Sequence, residues 1–314
     1  MAIFVLVNTN HYDIKKYYLL QNSMNIIPQL ILNSIIAGAL YSLIALGFNL
    51  IYGATKFFNL AHGVMAVVGA YTVFYFTKIL SVDFYFSIVL AILLAGLVGY
   101  GLDKLIYLPL RRRKSSNMVL LVASLGVFTA IQAIIAMIFT SQFQTLSKNN
   151  TVQKTFEIAG GIITQTQLII ILSVILITVG LFILLYKTKL GKAVRAISDD
   201  ENVAKIVGIN TNKIIGYVFF IGSAIAGLAG ILVGLDIGIQ PTMGLGLLLK
   251  GVVAAVVGGM GNLYGGVLGS FLLGFVENFG IWKISGEWKD AIAFVLLIAF
   301  LIFRPKGIMN STRD

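Results

Sequence analysis

The chain has 314 residues, 58% of them apolar and only 11% charged, with a net charge of +11 and no cysteine. So low a charge content excludes an ordinary soluble domain. The missing cysteines exclude a disulfide framework, an iron–sulfur cluster and a thiolate zinc site. What remains is an all-α polytopic membrane helix bundle, with about eight or nine membrane segments of the length a bilayer requires.

Residues 1–25 read as an N-terminal extension to a single transmembrane domain over residues 26–308. The short apolar run Ile3–Val7 has no basic residue before it, which makes a poor signal peptide. The hydrophobic pattern starts only after Met24, so the extension is either untranslated, with Met24 as the start, or a disordered tail. Residues 28–52, 57–79 and 84–108 then form three spans, and 117–141, 168–187 and 214–235 form three more. Basic residues gather in three stretches. Residues 103–114 hold five against one acid, 187–213 hold six against three, and the tail 304–314 holds three against one. The connections 140–167, 236–245 and 277–287 share only Lys148, Lys154 and Lys283. The positive-inside rule assigns the basic set to the cytoplasm and the N-terminus to the outside. The net charge is therefore a topology signal, and a nucleic-acid partner is excluded.

Parity fixes the rest. The last segment, 288–303, must end inside at Arg304, so 246–278 starts and ends outside. With GGMGNLYGG in its middle, it reads as a glycine-interrupted helical hairpin, the alternative being one long kinked helix. Small residues recur four apart at Gly222, Ala226, Gly230 and Gly234, at Gly261, Gly265 and Gly269, and at Ser34, Gly38 and Ser42. That spacing lines one helix face and permits close backbone approach.

Chemistry-bearing motifs are scarce. His11 and His62 are the only histidines, there is no H-E-x-x-H and no G-x-S-x-G, and no phosphate-binding G-x-x-x-x-G-K occurs. No catalytic residue or metal site is expected, and His62 reads as a buried packing residue rather than a substrate contact. Lys250, Asp236 and Glu277 read as interfacial, with Lys250 snorkelling outward. The loop 188–213 differs from everything around it. Ser198 and Glu201 fit a capping box, Asp199 and Asp200 fit a helix first turn, and Val203, Ile206 and Val207 make one apolar face. Gly208 suits a left-handed C-cap. The expectation is a short amphipathic helix over residues 199–207 whose apolar face needs a groove, in this bundle or in a partner.

The stretch AVRAISDDENVAKIVGI resembles the cytoplasmic coupling loop of ABC importer permeases, with Ala204 and Gly208 at its A-x-x-x-G ending; Asn202 and Val203 replace the usual Glu and Ala. NSIIAGALYSLIALGFNLIYGATKFFNLAHGVMAVVGAY resembles the first spans of the LivH-type permease subunit of branched-chain amino-acid importers. VVGGMGNLYGGVLGSFLLG and FRPKGI resemble that family's late glycine-rich segment and ending. The resemblance runs in register from about Pro28 to Ile308. It implies a second related permease subunit, two ABC ATPase subunits that use ATP in trans, an extracytoplasmic substrate-binding protein, and a place in the cell membrane of a prokaryote. This chain itself would bind no cofactor and would not be an enzyme. The implied ATPase-coupling residues are Arg195, Asp200, Val203, Ala204, Ile206, Val207 and Gly208. Candidates for the translocation path or for packing are Asn49, Asn59, His62, Gly258, Gly259, Gly261, Asn262 and Gly265. A permease for urea or short amides, and a channel or secondary transporter working alone, are the alternatives.

Overall fold

The computed structural model describes residues 11–146 and 154–309, with side chains from residue 26 onward. The expectation about residues 1–25 falls partly outside them, in 1–10; from His11 the backbone already belongs to the first helix. That helix, α1 (His11–Thr55), is followed by α2 (His62–Phe74), which a π-turn extends to Ile79. The Asp83 carboxylate accepts the N–H groups of Tyr85 and Phe86 and so starts α3 (Phe84–Leu102). A second π-turn, Asp103–Tyr107, carries α3 into α4 (Leu108–Arg112). α5 (Asn117–Phe139) follows, capped by Ser116.

A hairpin of β1 (Thr155–Ile158) and β2 (Gly161–Thr164) is the one departure from an all-α chain among these elements. Its two-residue turn, Ala159–Gly160, has positive φ at both positions, as the tightest hairpin connection demands. Thr164 and Gln167 then form a reciprocal capping box at the start of α6 (Gln165–Lys187). Beyond it lie α7 (Lys189–Asp199), α8 (Glu201–Ile206), α9 (Thr211–Asp236), α10 (Met243–Gly258), α11 (Leu263–Ile281) and α12 (Lys289–Phe303).

Six helical stretches are long and apolar enough to cross a membrane: α1 from Ile26, α3 continued through α4, α5, α6, α9 and α11. The shorter apolar α2, α10 and α12 complete the bundle among the described residues. The second span is shorter than its sequence suggests. Residues 56–61 form a loop, because Lys56 turns left-handed (φ 55°) at the end of α1 and the Asn59 carboxamide holds the Ala61 N–H (3.1 Å).

α10 and α11 form the expected hairpin, antiparallel about a turn at residues 259–262, with Gly259 and Gly261 at positive φ. The single kinked helix is thereby set aside. Asn262 closes the turn by accepting the Gly265 N–H at the start of α11 (3.0 Å).

α1 and α9 are the most buried spans, 67% and 72%, against 28% and 22% for α5 and α6. The first two, with α2, are therefore the centre of the bundle, and α5 and α6 face lipid or a partner. Small residues make that centre possible. A methyl group at Gly230 would fall on the Ala66 carbonyl of α2, and one at Gly69 on Gly227. Gly38 and Gly274 bring α1 against α11 in the same way.

The loops sort onto two ends. At one, Lys104 donates to the Asn212 carbonyl (2.7 Å), Ser198 lies over Gly53, and Met309 N–H meets the Gly258 carbonyl (3.0 Å). At the other, Gln29 brackets the backbone of Ile162, and Gln144 bridges to Ile239. All three basic stretches lie at the first end, as the positive-inside rule requires.

Candidate functional site

The loop at the basic end contains two helices where the sequence suggested one. The Thr188 hydroxyl accepts the Gly191 N–H (3.0 Å) and starts α7, which buries Gly191, Val194 and Ile197 against the bundle. Ser198 sits within the last turn of α7, so the expected capping box does not form. Asp200 takes the role instead. Its backbone is extended, and one carboxylate oxygen accepts the N–H groups of Asn202 (2.7 Å) and Val203 (3.1 Å). The reason is competition: a helix already propagating from Thr188 reaches Asp199 and leaves Ser198 no freedom to cap. At the far end of α8, Gly208 has φ +86°. Gly208 N–H bonds the Lys205 carbonyl and Ile209 N–H the Ala204 carbonyl, both 3.0 Å, which is a Schellman closure.

So capped, α8 presents a defined apolar surface. Val203, Ile206 and Val207 are 54%, 83% and 67% exposed. Ala204, one of the implied coupling residues, is instead buried and seats the helix on the bundle. Glu201 braces it from the side, accepting from Thr211 (3.1 Å) and pairing with Lys205 (2.8 Å). Arg195 of α7 lies over the Tyr186 ring (4.8 Å), and Tyr186 in turn packs against Tyr264 of α11.

The other candidates divide into two groups. Asn49 of α1 accepts the Gly261 N–H and donates to the Asn262 carbonyl, both 3.0 Å, and so ties the hairpin turn to α1. Gly258 and Gly265 meet backbone to backbone beneath it. Residues 304–309 strap across the same turn through Ile308 N–H to Val257 (2.9 Å) and Met309 N–H to Gly258. Gly53 sits between Ser198 and Gly261, so α7 and the turn are neighbours across α1.

His62 and Asn59 lie apart, at the α1–α2 junction. Buried His62 pairs its Nε2 with the Ile44 carbonyl (3.2 Å) and packs on Gly47. Asn59 accepts the Tyr107 hydroxyl (3.1 Å).

Two buried charge clusters escaped the sequence reading. Glu277 and Lys250, expected as separate groups near segment ends, are buried partners of one another. Glu277 is fully buried, accepts the Tyr41 hydroxyl (2.7 Å) and pairs with Lys250, which also reaches Asp290 (2.8 Å). The available signal was one cation and one anion, each isolated in an apolar arm of the same hairpin. Asp103, turned inward by the second π-turn, is fully buried and pairs with Arg111. Asp236 ends α9 and accepts from Gln167 (3.3 Å).

Residues 30–301 match the family described as the permease component of the branched-chain amino acid transport system. The chain belongs to that family. It is 32% identical over 294 residues to the high-affinity branched-chain amino acid transport system permease protein BraD of Pseudomonas aeruginosa, covering 90% of this chain and 95% of that one. It is 31% identical, with the same coverage, to LivH of Escherichia coli K12. It is 29% identical over 289 residues to the probable branched-chain amino acid transport permease protein LivH of Methanocaldococcus jannaschii, covering 88% and 90%. The chain is thus a multi-pass permease, and its near-complete coverage of these relatives places the whole bundle within the family.

Proposed function

We propose that this permease carries leucine, isoleucine and valine inward across the cytoplasmic membrane of a prokaryote as one half of a permease pair. Two ABC ATPases in trans drive it, and an extracytoplasmic binding protein feeds it. The observation that carries this reading is the surface of α8. A short helix with its caps satisfied at both ends, seated by Ala204, holds three large apolar side chains in water at the basic end. Such a helix is marginal alone, and apolar groups held this way suit a groove in a soluble partner. ATP is then hydrolysed elsewhere and its work enters the bundle through α7 and α8, between inward- and outward-facing arrangements.

The test uses two substitutions. Ile206→Asp puts a charge into the buried contact. Gly208→Val disfavours the positive φ that closes the helix. Each variant is expected to reach the membrane, because neither position packs inside the bundle, yet to lose ATPase co-purification and leucine uptake together. Normal ATPase recovery and uptake in both would overturn the assignment of α8.

A further inference from the structure

A groove of about 500 Å³ opens at the basic end, within the size range of small-ligand sites, ~300–1,000 Å³. Three helices wall it: α5 with Met118 and Leu121, α10 with Val252 and Val256, and α12 with Leu297 and Leu301. Its polar atoms are few and stand near the end of α1 and the start of α5, on Tyr52, Lys56 and Asn117. No acidic side chain lines it, and Lys56 makes no ion pair among the described residues.

Lys56 is also one of the few non-glycine residues at positive φ. It is held there by its N–H to the Tyr52 carbonyl (2.8 Å) and by Asn117 donating to its own carbonyl (3.4 Å). Backbone held in so sparsely populated a region persists where the surroundings over-determine it. The result is an exposed lysine whose backbone is anchored at the rim of an apolar slot.

The walls are linked to the hairpin turn and to α7. Tyr52 borders the hairpin turn at Gly261, the chain beyond α12 is strapped to the same turn, and Ser198 of α7 lies over the adjacent Gly53.

We infer that this groove is the basic-end section of the translocation path. It holds the apolar side chain of a small amino acid between α5, α10 and α12, while Lys56 takes the carboxylate. The inference rests on the permease reading above and adds the place and chemistry of substrate contact.

Because the chain has no cysteine, Val256→Cys gives this permease a single thiol, whose labelling is read on the separated permease band of the assembled transporter. In vesicles, a small hydrophilic thiosulfonate is expected to label it, and leucine at roughly ten times its Kd should slow that labelling about tenfold by mass action. Lys56→Gln should raise the KM for leucine by about tenfold, the loss expected of a charged hydrogen bond, with kcat little changed, and Lys56→Arg should restore it.

Labelling unaffected by leucine would overturn the inference. So would labelling only by a membrane-soluble maleimide, which would mean an acyl chain fills the groove. Cross-linking of the thiol to the second permease that leucine neither slows nor displaces would make the groove a subunit contact alone and overturn it equally. Leucine uptake by the unsubstituted complex in the same vesicles separates these failures from failure of the permease reading itself.

Discussion

A carboxylate buried away from water must be paired or it cannot stay charged. Glu277 meets that demand with the Tyr41 hydroxyl, with Lys250 and, at 3.8 Å, with Lys289. Removing one member of a buried pair costs about 3–5 kcal/mol where the other is left without a partner, and less for Lys250, which keeps Asp290, whereas replacing the pair with apolar groups is often close to neutral. Glu277→Ala is therefore expected to lower the thermal stability of the purified permease, because the buried Tyr41 hydroxyl loses its acceptor and Lys250 keeps only Asp290. The double variant Lys250→Met with Glu277→Leu should recover most of it, provided the remaining partner Asp290, which is largely exposed, can be solvated. A double variant as unstable as Glu277→Ala would contradict this account of the cluster. The pairing was hidden in the sequence because each charge stands alone in an apolar run. Only the register of the two hairpin arms, set by glycine contacts, brings them together.

At the scale of elements, small-residue faces decide which helices touch. The periodicity of Gly222, Ala226, Gly230 and Gly234 was legible, and the structure lays Gly222 on α1 and Gly230 on α2, while Gly234 meets Ile239 and Leu146 of the connecting segments. Gly230→Val would drive a branched side chain into the Ala66 backbone. Overpacking of this kind costs typically ~1–3 kcal/mol, so a lower melting temperature and poorer recovery of folded protein are expected. Gly180 of α6 has nothing within 4 Å of where its Cβ would stand, and Gly180→Val should melt as the unsubstituted chain does. Equal behaviour of the two would refute the packing argument. The loop helices were less legible. Local spacing suggested Ser198 as a cap, but helix α7 begins upstream at Thr188 and overrides it. Ala204 is adjacent to Val203 in sequence, and only the seating of α8 on the bundle shows that it faces inward. The helix's C-cap at Gly208 needed no tertiary information, because positive φ is a local demand.

At the scale of the molecule, charge distribution and parity made the two ends and the hairpin readable before any coordinates. The β-hairpin was not, since four-residue strands among loop residues carry little signal. Single cysteines should report the sidedness: Ser115→Cys and Asp200→Cys should react only with reagents on the cytoplasmic side, and Glu157→Cys only from outside. The groove between α5, α10 and α12 was also invisible in the sequence, because its walls come from distant segments with no shared pattern. The central claim is that this bundle moves branched-chain amino acids using ATP hydrolysed by partners at its basic end. It is tested most directly by radiolabelled leucine uptake into proteoliposomes holding this permease, with and without its second permease, ATPases and binding protein. The account predicts that leucine accumulates only with the full set, and only with ATP on the side of the basic loops. Leucine accumulating through this chain alone, driven by an ion gradient without ATPases, would contradict it.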